Sequence, residues 1–222
     1  RARFIEGDKP KVFSASSLNC YLDCPMCFYF QYVKGIEDED QVTEDVDSGL
    51  FGTIFHKVLE NLYKGFEKRI IQKSDIDRIL SDKKLMLDCI DNAFKNEGNI
   101  SVITGKNLIV RQLLLRYVTR TLTVDKEIAP FHYVKGEKSE KISLTLPGTD
   151  DSVLLYGKID RVDSIESGTV RVVDYKTGSV DGKIRNDNVE ALFDRGKKRP
   201  SISLQLYIYA LLIKNDKILG AN

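Results

Sequence analysis

Two carboxylates and a lysine stand where they could do chemistry: Asp160 in GKIDRVD, residues 157–163, and Asp174 and Lys176 in VVDYKTG, residues 172–178. Both segments have a β-rich pattern. In a strand, side chains two apart share a face, so the D-x-K triplet sets a carboxylate beside an ammonium. Val170 and Val172 fall on that same face, which puts the charges at the end of a strand that otherwise buries apolar groups. A hairpin between the two strands would bring Asp160 close to Asp174. Converging carboxylates repel unless something positive lies between them, and a hard divalent cation, Mg²⁺ or Mn²⁺, matches oxygen ligands. One such ion, or a pair, polarises a phosphoryl oxygen and lowers the pKa of a bound water so that it attacks at neutral pH. Lys176 would then orient the water or stabilise transition-state charge. A strand-end ion pair without function is the simplest competing explanation of the triplet alone, so its weight depends on the company it keeps.

That company includes His56, in GTIFHKVLE at the border of an apolar helical stripe, where it is either a structural residue or an imidazole ligand beside two carboxylates. His132 has no comparable context. Glu137 and Glu140 precede the first β-rich segment, and either could reach a metal shell. Gln205 and Tyr209 are four apart on a helical segment and share a face. A glutamine in an otherwise apolar helix needs partners: a strand carbonyl, a metal-bound water, Lys176 or a phosphate. Cys20, Cys24 and Cys27 form C-x3-C-x2-C, while Cys89 stands apart. By spacing, the triplet matches the [4Fe–4S] cluster of radical SAM enzymes, but no glycine-rich SAM-binding segments follow it. The four cysteines could instead hold zinc, or remain reduced thiols packed as small hydrophobes.

The elements that must position these residues change character midway. Phe51, Ile54, Phe55, Val58, Leu59, Leu62 and Tyr63 recur at helical spacing. Further stripes follow at Ile76, Ile79 and Leu80, at Leu87, Ile90 and Phe94, and at Leu113, Leu114, Tyr117 and Val118. Then come β-rich segments at 140–146, 153–163 and 169–176, separated by PGTDD and ESG turn chemistry and expected to form an antiparallel meander. ISLQLYIYALLIK, apolar almost all round, predicts a final helix buried against the sheet.

The 222 residues, 42% hydrophobic and 30% charged, suit one globular domain, 1–222, with a mainly helical part at 1–130 and a sheet-bearing core at 131–222. No apolar run approaches a membrane span and the first residues lack a signal-peptide core, so a cytoplasmic protein with no membrane association is expected. The start without Met and the end at ILGAN suggest a piece of a longer chain. With 34 Lys+Arg against 33 Asp+Glu, net charge gives no argument for nucleic acid, and any such argument is local. Residues 37–47 are acidic, and Arg195, Lys197, Lys198 and Arg199 crowd a short stretch that Arg185 precedes; these are either solvated loops or, for the five basic residues in a nuclease, the expected DNA-phosphate contacts.

The constellation GTIFHKVLE, GKIDRVD, DYKTG and QLYIY resembles the RecB-like nucleases of the PD-(D/E)xK superfamily, nearest to the C-terminal nuclease domains of AddB-type helicase–nuclease subunits and to Cas4. SASSLNCYLDCPMCFYFQYVKGI, residues 14–36, is similar to the opening segment of that group. Together the pieces cover residues 14–213. The resemblance implies an α/β (α+β) fold of restriction-endonuclease type, a mixed sheet flanked by helices. It implies Mg²⁺ or Mn²⁺ held by His56, Asp160, Asp174 and the Tyr175 carbonyl, with Lys176 catalytic and Gln205 and Tyr209 on the family's Q-x-x-x-Y helix. It further implies processing of DNA ends or single strands in recombination and double-strand break repair, as an exonuclease in preference to an endonuclease, beside a helicase subunit or domain. Many members hold a [4Fe–4S] cluster between an early cysteine, here Cys24, and three more beyond the Q-x-x-x-Y helix, so a cluster is expected in a full-length protein only. Departures are the missing strand after the last helix and the lack of an unambiguous match for the glutamate ahead of the strands. A radical SAM-type enzyme and a catalytically silent DNA-binding relative remain the alternatives.

Overall fold

The computed structural model describes residues 4, 11–36, 45–166, 169–179, 189–195 and 199–214. In chain order these form β1 (Phe13–Ser14), α1 (Ala15–Asp23), α2 (Pro25–Phe28) running into a π-helical turn (Tyr29–Lys34), α3 (Ser48–Tyr63), β2 (Arg69–Ile71), α4 (Lys73–Ser81), α5 (Lys83–Gly98), α6 (Lys106–Ile128), β3 (Phe131–Thr145), β4 (Ser152–Glu166), β5 (Thr169–Val173) and α7 (Ser201–Lys214). The strands make a mixed sheet in the order β1-β4-β3-β2, with β5 also paired to β4. β1 runs parallel to β4, whereas β2–β3 and β4–β5 are antiparallel. The meander expected from the sequence is thus extended by two short strands, and β1 makes the sheet mixed. Two and three residues long, β1 and β2 are too short to carry a periodic signal.

The described residues divide into two compact units. One takes residues 45–137, 160–166 and 169–179; the other takes 4, 11–36, 138–159, 189–195 and 199–214. This division differs from the one at residue 130, because β3 and β4 each contribute to both units.

In the first unit, α3 starts where the Asp47 side chain accepts a hydrogen bond from Leu50 N at 2.7 Å, satisfying one of the free amides of the first turn. Its buried face, Ile54, Phe55, Val58, Leu59, Leu62 and Tyr63, repeats at three and four residues and packs with α5 and α6. Ile76 and Ile79 of α4, Ile90 and Phe94 of α5, and Leu114, Val118 and Leu122 of α6 complete the core with Phe131 and Tyr133 of β3. The expected α6 stripe divides in two: Leu114 and Val118 are buried, while Leu113 and Tyr117 stand 41% and 37% exposed.

In the second unit, Ser14 and Ser17 close a reciprocal capping box at the start of α1, at 2.8 and 3.1 Å. The α7 helix buries Leu204, Ile208, Tyr209, Leu212 and Ile213. Gly157 allows it to lie against β4, since a Cβ there would sit 2.5 Å from Leu212 and 3.0 Å from the Tyr209 ring. Among the described residues no helix is long and apolar enough to cross a membrane.

Candidate active site

The β4–β5 ladder pairs Arg161 with Val173 at its end. One residue further out on each strand stand Asp160 and Asp174. The expected strand to Lys176 therefore stops at Val173, and the D-x-K triplet occupies the extended segment just past it. Freed from the ladder, the Tyr175 amide donates to Asp160 Oδ2 at 2.7 Å, which ties the two segments together at the carboxylates.

His56, in the middle of α3, enters this gap. Its Nε2 donates to the Tyr175 carbonyl at 2.8 Å, and its Nδ1 lies 3.3 Å from Asp160 Oδ1. Glu137 of β3 holds a left-handed φ of 47°, uncommon for a non-glycine residue, within an otherwise extended strand. A ring nitrogen of His56 and carboxylate oxygens of Glu137 and Asp160 all lie within 4.8 Å of one another. Lys176 Nζ sits 2.6 Å from Asp174 Oδ2. The side chains of Asp160 and Asp174 are 9% and 5% exposed, against 34% for Lys176. All six residues belong to one compact unit.

Burial alone would push the His56 imidazole down. The hydrogen bond and charge of Asp160, the Tyr175 carbonyl and the charge of Glu137 outweigh it and hold His56 above its ordinary value. Asp174 is also raised, first by burial and then by repulsion from Asp160, against the pull of Lys176 and His56. Two carboxylates and an imidazole, from Asp160, Glu137 and His56, thus meet at one place, with the Asp174–Lys176 pair beside them. Oxygen and nitrogen donors of this kind fit a hard divalent cation.

Beneath the carboxylates lies a buried platform that sequence reasoning missed. The Arg161 guanidinium donates to Asp125 at 2.6 and 2.9 Å, to Asp163 at 2.7 Å and to the Tyr175 hydroxyl at 3.0 Å. It lies over the rings of Phe131 and Tyr63, 4.7 and 5.0 Å from their centroids. Arg171 grips the other side of Asp163 at 2.7 and 2.8 Å, and the Tyr63 hydroxyl donates to Asp125 at 2.6 Å. Burial pushes the Tyr175 hydroxyl up to about 12, so it stays neutral and accepts from Arg161, while the backbone of the same residue is held by His56 and Asp160. The sequence signal was the alternation Ile159, Arg161, Asp163: an ion pair two apart on an otherwise apolar strand face.

The other expected site residues are distributed differently. Gln205 Nε2 donates to Tyr209 Oη at 2.7 Å across one turn of α7, in the other compact unit. Arg199 departs from its expected role as a DNA contact: its side chain is 1% exposed and donates to Asp23 at 3.1 Å and to the Asn19 carbonyl and side chain, tying the start of α7 to α1. Arg195 is exposed, while Arg185, Lys197 and Lys198 lie outside the described residues. None of Cys20, Cys24, Cys27 and Cys89 forms a disulfide. His56, Glu137 and Asp160 are the one group of three or more potential ligands that comes together among the described residues. Neither a cysteine-ligated zinc site nor a radical SAM triad is therefore assembled, and Cys20 and Cys27 lie in helices, not in a loop after a strand.

The model of the PD-(D/E)XK nuclease superfamily matches residues 12–221. Among curated proteins, the chain is 25% identical over 236 aligned positions to the B subunit of the ATP-dependent helicase/deoxyribonuclease from Clostridium perfringens (strain SM101 / Type A), covering 99% of this chain and 19% of that protein. It is 30% identical over 189 positions to the protein of the same name from Acetivibrio thermocellus, covering 79% and 16%. With the one from Thermoanaerobacter sp. (strain X514) it shares 28% over 221 positions, covering 92% and 18%. The chain thus spans less than a fifth of the length of these relatives. A family match over nearly the whole chain, on a mixed sheet that converges its acidic residues at two strand ends, makes this chain a member of the PD-(D/E)XK nuclease superfamily.

Proposed function

We propose that the chain is a divalent-metal-dependent deoxyribonuclease that hydrolyses phosphodiester bonds, acting exonucleolytically on DNA ends during recombination and break repair beside a helicase. The observation that carries the reading is the meeting of His56, Glu137 and Asp160 within 4.8 Å, with Asp174 and Lys176 beside them. Support for the substrate comes from the relatives, whose name joins a helicase to a deoxyribonuclease.

In this reading His56, Asp160, Asp174 and the Tyr175 carbonyl hold Mg²⁺ or Mn²⁺, and Glu137 joins them as a ligand not expected from the sequence. When bound there, the ion polarises a phosphoryl oxygen and lowers the pKa of a water. Lys176, 2.6 Å from Asp174 and one-third exposed, presents ammonium donors to the attacking water and to the charge that builds on the phosphoryl oxygens. Asp160 accepts from the Tyr175 amide, which holds its carboxylate still. The Arg161 platform keeps Tyr175 from moving and so fixes the carbonyl that faces His56.

The test is cleavage of end-labelled linear DNA and of a circular single strand by the chain in Mn²⁺ and in EDTA. The reading expects cleavage in Mn²⁺ alone, loss of it in Asp160→Asn, and sparing of the circle. Cleavage in EDTA would refute metal dependence, and cutting of the circle would refute the exonuclease assignment.

A further inference from the structure

On α6, Leu113, Arg116, Tyr117 and Arg120 follow one another at three and four residues and share a face. That face lines a cavity of about 440 Å³ that Asp174 and Lys176 also line. A space of this size suits part of a small ligand or a nucleotide.

The cations of this face differ from those at either end of the same helix. Arg111 is bound by Asp91 at 2.5 and 2.8 Å, and Lys126 pairs with Asp77 at 2.5 Å. Arg116 and Arg120 are exposed and have no ion-pair partner among the described residues. The one carboxylate lining the cavity, Asp174, is engaged by Lys176. An uncompensated positive wall beside the reacting groups attracts a polyanion.

Tyr117 supplies the second element. Its ring stands nearly perpendicular to Phe51 and Phe55, at 5.5 and 5.9 Å between centroids, which fixes its orientation while 37% of the residue stays exposed. Leu113 adds apolar surface one turn away. A rigid aromatic between two arginines offers a base something to stack on and its flanking phosphates something to bind. The Thr121 hydroxyl in the cavity wall already donates to the Tyr117 carbonyl at 3.0 Å, so the wall offers little with which to read base edges.

We infer that this α6 face is a sequence-tolerant cradle for single-stranded DNA, with Arg116 and Arg120 on successive phosphates and Tyr117 stacked on a base, delivering the strand to Asp174 and Lys176. The inference rests on the nuclease reading for the identity of the polyanion. Single-stranded substrate follows because the faces of bases inside a duplex are covered by their neighbours and cannot stack on Tyr117.

The test is anisotropy of a labelled oligothymidylate and of a labelled blunt hairpin with the full chain in EDTA, over a range of salt. Arg116→Gln/Arg120→Gln should weaken oligothymidylate binding about tenfold or more and reduce the slope of log affinity on log salt by about 1.4, roughly 0.7 per lost contact. Tyr117→Leu should weaken the oligothymidylate about fivefold or more, from the loss of one stacked base, and leave the hairpin within about twofold. Tyr117→Phe should bind as the parent does, which separates stacking from the hydroxyl. Because Tyr117 packs on Phe51 and Phe55, thermal unfolding of each variant is compared with the parent; if Tyr117→Leu unfolds, the arginine pair decides.

Unchanged affinity and slope in the arginine variant would overturn the cradle, and equal losses on hairpin and single strand in Tyr117→Leu would make it a duplex-phosphate ridge. A parent that binds through α6 but never cleaves in Mn²⁺ would instead refute the catalytic reading and leave the cradle standing.

Discussion

Glu137 carries a left-handed φ of 47° in the middle of β3, a conformation that costs a non-glycine residue about 1–3 kcal/mol. The cost is incurred where the side chain joins His56 and sets a second carboxylate beside that of Asp160. Glycine adopts this φ freely, so Glu137→Gly is expected to raise the stability of the metal-free protein by about 1 kcal/mol and to weaken Mn²⁺ binding about tenfold or more. Thermal unfolding in EDTA and a Mn²⁺ titration measure the two; unchanged Mn²⁺ affinity would remove Glu137 from the proposed ligand set. The approach of Asp160 to Asp174 was legible from the hairpin that the two β-rich segments imply, although the D-x-K triplet lies past the strand and not within it. Glu137 was not, because nothing at GEK announces a positive φ at the glutamate, so Glu137 and Glu140 looked equivalent. The outcome separates them: Glu140 pairs with Lys138 at 3.1 Å.

At the scale of elements, β4 serves two purposes through its pleat. Asp160 points to the candidate site, while Arg161 and Asp163, 1% and 0% exposed, lock the strand to β5, α6 and the start of β3. A buried network of this kind gains little over an apolar core, yet removing one member strands charges in low dielectric. Arg161→Met leaves Asp125 without its guanidinium partner and Asp163 with Arg171 alone, and is expected to cost about 3–5 kcal/mol, read as a lowered urea midpoint. Parent-like stability would mean that the network does not hold Tyr175 in place. The long helices were legible from their periodicity, since α3, α4 and α5 bury most of the residues that recur at three and four, and α6 buries Leu114 and Val118 of its four. The strands were legible in number only in part: β3 starts nine residues earlier than the expected 140, and β5 ends three residues before the expected 176. β3 was obscured by its charged stretch KGEKSEK, and past the end of β5 the Tyr175 amide bonds to the Asp160 side chain. Leu113 and Tyr117 looked like core for lack of any local sign that they face a cavity.

At the scale of the whole molecule, the candidate site needs residues from α3, β3, β4 and the segment after β5, spread from His56 to Lys176 but gathered in one compact unit. Of the positive residues expected to meet DNA near the last helix, Arg199 is a buried tie to Asp23 and Asn19, and the arginines without an ion-pair partner beside the site, among the described residues, are on α6. On the proposed reading, turnover requires every one of these parts at once, the cation ligands in place and Lys176 turned to the reacting groups. The most direct test is the single-turnover cleavage rate of labelled single-stranded DNA by the parent and by Lys176→Ala across a Mn²⁺ titration. Loss of one preorganised charge-stabilising donor predicts a fall of about 10²–10³ in the rate at an unchanged half-saturating Mn²⁺ concentration. Parent-like cleavage by Lys176→Ala, or cleavage by either protein without a divalent ion, would contradict the account.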